Sequence, residues 1–313
     1  NTLFAQRKNL VSPKFLRMVS DILRFNRLAS KLVTRLDEYY MTLEDFLNKY
    51  KFSKEFRDHY LIPMGSAIWS SSFDNMLRFS AAFFIRFFYN HGLLSVMNKP
   101  QWYVVKGGSK SYIPSLISSF ENNIQLGAEI KKVIRKDGKA VIYFAGGLKH
   151  VFDEVVFACH SDQALALLGD PSDDEVEVLG AMPYKNNSVI LHTDERLLPR
   201  DKKVWSSWNY FLAKDKSALP ILTYNMNILQ KLESKHNYCV TLNADDLIDP
   251  EKILGKYNYA HPQFSVTSTL AQQRWQEING VNRTWFCGAY WANGFHEDGV
   301  VSALRVSDAI GKG

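Results

Sequence analysis

The stretch from Trp285 to Ala303 constrains this 313-residue chain more than any other. Its aromatic-apolar opening, Trp285-Phe286-Cys287, ends on Gly288, and a loop carrying Gly294 leads to Asp298-Gly299. Beyond it Val300, Val301, Ala303, Leu304, Val306 and Ile310 recur at helical spacing. The pattern predicts a buried strand, a glycine-bearing loop and a helix with its N-cap at Asp298-Gly299. A helix start leaves N–H groups unpaired and carries the positive end of the helix dipole, so this corner suits a flat or anionic ligand.

A second organised segment lies upstream. Lys106-Gly107-Gly108-Ser109 forms a turn, followed by an apolar helical pattern at Ile113, Leu116, Ile117 and Phe120 and by a strand leading through Ile130 to Val133 and Ile134. Ala140 to Phe144 alternates as a strand, Gly146-Gly147 turns, and Asp153 to Cys159 reads as a buried strand.

The two segments, in this order, resemble the flavin-containing amine oxidase family of monoamine oxidases, polyamine oxidases and related desaturases. Within it they are most similar to bacterial predicted NAD/FAD-binding proteins, some encoded beside cyclopropane fatty acid synthases. The resemblance implies FAD as cofactor. It places Gly107, Gly108, Gly288 and Ala289 along the cofactor, Ile130 at the adenine edge, and Asp298, Gly299 and Val300 where helix N–H groups meet the flavin pyrimidine. Tyr290, Trp291 and Phe295, on the loop between flavin-facing positions, are candidates for a wall of the reaction cavity or for plain packing, and Lys106 is a further candidate beside the cofactor. Where amine oxidases follow the strand's glycine with Thr-Glu, this chain has Ala289-Tyr290. That departure points away from strict amine chemistry.

A flavoprotein of this kind opens on Gly-x-Gly-x-x-Gly at a strand-to-helix turn, with an acidic residue about 20 positions on. No such turn occurs in the sequence, which opens on Asn1. The expectation is therefore an N-terminally truncated chain whose Gly-rich unit lies upstream. The implied fold is α/β (α+β overall): a discontinuous Rossmann-like FAD-binding domain from 104–165 and 284–313, and a substrate domain with helices in 1–103 and an antiparallel sheet in 166–283. Strands of that sheet are predicted at Ser188–His192, Val204–Phe211, Ile221–Met226 and Tyr238–Leu242.

With 46% hydrophobic residues the chain can fill two cores, and no stretch approaches the roughly 20 apolar residues of a membrane-spanning helix. Cys159, Cys239 and Cys287 have no metal-ligand spacing, so no metal is expected, and their scatter fits a reduced, cytoplasmic protein. The net charge of +6 is concentrated in one place: Lys14, Arg17, Arg24, Arg27, Lys31 and Arg35 share a helical pattern with Phe15, Leu16, Val19, Ile22, Leu23, Leu28 and Leu32, with Asp21 the only acid. Two readings stand, an ordinary two-faced helix or one that docks on a membrane surface, which would make the protein peripheral to the inner face of the membrane. Without zinc-ligand spacing or a single-strand-binding motif, nucleic acid is not an expected partner.

Between Phe73 and Leu94 the residues Met76, Leu77, Phe79, Phe83, Phe84, Ile85, Phe87, Phe88 and Tyr89 crowd one helical segment, which reads either as the wall of a substrate cavity or as core. His160 reads as a capping or packing residue, the acids of His296-Glu297-Asp298 as helix-start complements, and His192 and His236 have no recognisable partner. No hydrolase, zinc protease or nucleotide triphosphatase motif occurs. A flavin would itself accept the hydride, so no acid-base pair need be legible. The expected activity is FAD-dependent oxidation of a carbon, on a lipid or acyl chain. The alternatives are an amine oxidase proper, or a non-catalytic lipid- or membrane-binding or interaction protein that keeps the fold.

Overall fold

The structure, a computed structural model, describes residues 6–38, 41–95, 101, 103–211 and 219–311. Along the chain its strands are β1 (Ile130–Lys136), β2 (Lys139–Phe144), β3 (Lys149–Phe152), β4 (Val155–Phe157), β5 (Tyr184–His192), β6 (Trp208–Phe211), β7 (Ile221–Asn225), β8 (Cys239–Leu242), β9 (Ile253–Pro262) and β10 (Thr284–Phe286). Two compact units result, residues 1–114 with 185–261, and residues 115–184 with 262–313. The chain thus changes unit after 114, 184 and 261, where the sequence reading put boundaries after 103, 165 and 283.

In the first unit the helix Pro13–Leu32 starts on Ser12, whose Oγ accepts the Phe15 N–H, and buries Asp21, Phe25, Asn26 and Ala29. The aromatic stretch expected as one helix is two, Phe73–Leu77 and Ala81–Asn90. Ser80 breaks it, in extended backbone with its Oγ accepting the Phe83 N–H. Phe83, Phe84, Phe87 and Phe88 are all buried; Phe84 stacks on Phe88 at 4.3 Å and Trp69 meets Phe87 edge-on at 4.7 Å. Each such ring hides about 150–250 Å². These rings are core.

The five-stranded sheet of this unit has the order β6-β7-β8-β5-β9, antiparallel at β6/β7, β7/β8 and β5/β8. The strand expected from Val204 begins only at Trp208, because Asp201 caps a 3₁₀ turn over Lys202–Val204. β9 was not expected. It is an edge strand exposed on both faces from Lys256 to Tyr259, so its sequence lacks the apolar alternation of a half-buried strand.

Inside this sheet His192, without partners in the sequence reading, is fully buried and bonded at both nitrogens. Its Nε2 lies 2.7 Å from Thr241 Oγ1, which lies 2.9 Å from Thr223 Oγ1, and its Nδ1 accepts the Asp194 N–H at 3.0 Å. Since Nδ1 accepts, the proton sits on Nε2 and the ring is neutral. Asp194, also fully buried, binds the Arg196 guanidinium and accepts the Asp249 N–H at 3.0 Å.

In the second unit β1, β2 and β3 form an antiparallel meander with a bulge between Ile130 and Lys132, and β4 pairs in parallel with β10. Its core joins Val133, Phe157, Ala164, Val178, Leu179, Ile278, Phe286 and Tyr290. Arg135 ties the pieces together. Its guanidinium bonds both Glu175 oxygens at 2.8 and 2.7 Å, reaches Thr284 Oγ1 at 3.3 Å and contacts Asp170 at 3.0 Å. Burial disfavours the charge, but Glu175 and Asp170 outweigh it and raise the Arg135 pKa.

Candidate functional site

β4 and β10 run side by side in the register Val155↔Thr284 to Phe157↔Phe286, and the Cys287 N–H extends the ladder to the Phe157 carbonyl at 2.9 Å. Phe157 and Phe286 stack at 5.4 Å on the inner face. Each strand then feeds a helix, β4 through Cys159 and His160 into Ser161–Leu167, and β10 through Gly288 and a loop into His296–Ile310. The carboxyl ends of neighbouring parallel strands, each opening into a helix start, are where α/β folds place ligands.

The loop from Gly288 to Phe295 is fixed at many points. Gly288 N–H donates to Ser302 Oγ at 3.1 Å, fastening the end of β10 to the following helix. Gln272 Nε2 donates to the carbonyls of Tyr290 and Ala292 at 2.8 and 2.7 Å, and Trp291 Nε1 donates to that of Phe286 at 3.0 Å. The helix begins at His296, earlier than expected, and Phe295 is its N-cap. Asp298 is therefore not the cap. It sits in the first turn, where its Oδ2 accepts the N–H groups of Phe295 at 2.9 Å and Asn293 at 3.2 Å, closing the loop onto the helix. The first-turn N–H groups keep the orientation that favours an anion.

Of the residues proposed from sequence, Ile130, Gly288, Ala289, Tyr290, Trp291, Phe295, Asp298, Gly299 and Val300 fall within this unit, whereas Lys106, Gly107 and Gly108 belong to the other. Tyr290 is 2% exposed and lies in the core, and its hydroxyl has no hydrogen-bond partner among the described residues. Burial, reinforced by Tyr184 and the two neighbouring thiols Cys287 and Cys159, pushes that phenol well above its ordinary range. Trp291 is half-buried and packs against two core clusters. Ile130 is 39% exposed at the open start of β1, and Val300 is 52% exposed on the outer face of the helix. The Val105–Gly108 turn is held by Ser111, whose Oγ donates to the Lys106 and Gly108 carbonyls. His160 caps the helix Ser161–Leu167 and stacks on Tyr184 at 4.2 Å, the packing role expected of it.

The two glycines of the corner serve different ends. At Gly288 a Cβ would lie 2.4 Å from Tyr290 Cε1, so that space is filled by the core. At Gly299 the nearest atom to a Cβ is the Ala289 nitrogen, 4.0 Å away. Open space with helix N–H groups at its edge therefore lies beside Gly299, flanked by Ala289. Gly299 would leave room there for a flavin, and the first-turn N–H groups would offer donors to its electron-rich atoms. Ser302 and Gln272 complete the corner and went unread in the sequence. Only the helical spacing of Ser302 from Asp298 hinted at a role.

The family profile described as flavin containing amine oxidoreductase matches residues 6–243. Comparison with curated proteins gives no match. Among solved structures, the CLA-producing fatty acid isomerase from P. acnes superposes with TM-score 0.65 at 13% identity, covering 96% of this chain and 75% of that one. Cyclohexylamine oxidase from Brevibacterium oxydans IH-35A gives 0.64 at 10% identity, over 96% and 76%. Putrescine oxidase bound to putrescine gives 0.64 at 13%, over 95% and 76%. At these identities the likeness is one of fold. With the profile covering most of the sequence, the chain belongs to the flavin-containing amine oxidoreductases and is an FAD-dependent oxidoreductase.

Proposed function

We propose that this oxidoreductase removes a hydride from a carbon of a lipid or acyl chain. The observation that carries the choice is the fate of the loop's carboxylates. An amine substrate arrives as a cation and is best met by an acid facing the cofactor, but this loop has Ala289 and a buried Tyr290 after its strand glycine, its Asp298 is committed to the N–H groups of Phe295 and Asn293, and its other acid, Glu297, is exposed in the first turn of the helix. The fold likeness to a fatty acid isomerase supports the same reading, although amine oxidases of equal likeness stand beside it. Bound FAD supplies the hydride acceptor. The chain's part is to seat the cofactor with Ile130, Gly299 and the first-turn N–H groups, to hold the substrate carbon against it and to exclude water. The Lys106-Gly107-Gly108 turn is proposed as a second contact.

The test is anaerobic mixing of the flavin-loaded protein with unsaturated and saturated fatty acids, and separately with primary amines and diamines, while following the visible flavin bands. Bleaching by acyl chains is expected. Bleaching by amines alone would make the protein an amine oxidase proper, and a protein that takes up no flavin would favour a non-catalytic binding role.

A further inference from the structure

The helix Pro13–Leu32 presents a surface that flavin chemistry does not use. Its exposed positions are 13, 14, 16, 17, 20, 23, 24, 27, 30 and 31, a continuous stripe at helical spacing. Leu16 and Leu23, two of the helix's apolar positions, are 48% and 49% exposed on this stripe, and the preceding turn adds Leu10 and Val11 at 51% and 80%. Around them stand Lys14, Arg17, Arg27 and Lys31, with no ion pair among the described residues. Arg24 is engaged: it pairs with buried Asp21, donates to the Tyr50 and Lys51 carbonyls and covers the Phe52 ring. The helix's one acid, Asp21, is turned inward to the Ser53 N–H and Arg24.

We propose that this stripe docks on the surface of an anionic lipid bilayer. Four unpaired cations without an exposed acid set the sign of the partner's charge and repel a second copy of the same face. The exposed leucines and valine distinguish a bilayer from nucleic acid, since their side chains gain only where hydrocarbon receives them. A helix of this length lies flat over about 30 Å, its leucines reaching the acyl boundary while the lysine and arginine stems extend to the headgroups. The inference stands apart from the substrate assigned above, because it concerns residues outside the cofactor corner.

The test is co-sedimentation of the flavin-loaded protein with vesicles of phosphatidylcholine alone, and of phosphatidylcholine with 30% phosphatidylglycerol. Binding is expected to the anionic vesicles only and to be suppressed by high salt. At about five-fold per cation removed, R17Q/R27Q should weaken partitioning about 25-fold, with K14Q/K31Q as an independent pair. L16S/L23S should weaken it several-fold without changing its salt dependence. Melting temperature and visible spectrum of each variant establish that fold and flavin are intact. Failure to bind anionic vesicles, equal binding to neutral ones, or unaltered binding by both cation pairs would overturn the proposal, and the first outcome would leave an acidic protein as the partner.

Discussion

Two glycines eleven residues apart look equivalent in sequence and are not equivalent in space. Gly288→Ala forces the Tyr290 ring out of the core, since a Cβ there meets Cε1 at 2.4 Å and Cδ1 at 2.7 Å. Overpacking of this kind costs about 1–3 kcal/mol, so the thermal midpoint should fall even before cofactor is considered. A Cβ at Gly299 has only the Ala289 nitrogen within reach, at 4.0 Å, and a side chain there gains helix propensity, so for Gly299→Leu folding stability should stay within about 1 kcal/mol of the parent. Its flavin content, read as the ratio of visible to ultraviolet absorbance, should drop several-fold, because the leucine fills the space proposed for the ring. Unchanged flavin content would remove Gly299 from the cofactor site. A sequence shows that glycine is present at both places but not whether a side chain or a ligand takes the vacated volume.

The elements with strong local patterns were legible: the helix Pro13–Leu32, β2 with its alternation, β4 and β10 with their apolar runs, and four of the strands of the five-stranded sheet. What escaped notice depends on partners remote in sequence. β9 is edge and exposed, Ser80, which divides the aromatic helices, is bridged to Thr42, and His192 finds Thr241 and Thr223 only once β7 and β8 are in register. That buried network has a pH signature. Burial holds the His192 imidazole below its ordinary value, with the Asp194 charge opposing. The unfolded chain then takes up a proton near pH 6.5, per the reference value, that the folded sheet refuses. This contribution is complete above that pH and is lost as pH falls through the lower, folded value. The thermal midpoint of the parent should therefore drop more than that of His192→Gln between about pH 7.5 and 5, where the reference imidazole titrates. In the other unit, Glu175→Ala leaves the Arg135 charge buried without its bidentate partner. It should cost about 3–5 kcal/mol in denaturant unfolding, far beyond a surface substitution.

For the molecule as a whole, the consequential fact is that residues separated by more than a hundred positions, Ile130 and the Gly288–Val300 corner, belong to one compact unit while the Gly107-Gly108 turn belongs to the other. A ligand that binds only the folded state stabilises it by RT times the logarithm of one plus its free concentration over its dissociation constant, about 2.7 kcal/mol at a hundred times that constant. Where that stabilisation appears reveals which segments hold the cofactor. Hydrogen exchange with and without added FAD should slow at the start of β1 and across 288–303, and in the strands β4 and β10 that position them. The sheet interior around His192 and Thr241, already closed by its own hydrogen bonds, should change little. The turn at Val105–Gly108 decides the remaining assignment: residues 105–107 are exposed and the Gly108 N–H bonds only within the turn, to the Val105 carbonyl, so slowing there would bring Lys106, Gly107 and Gly108 into the cofactor site. Unaltered exchange at the turn, with protection elsewhere, would restrict the site to the second unit. Unaltered exchange across 288–303 would remove the helix start from cofactor binding and, with it, the electrostatic role argued for its first-turn N–H groups.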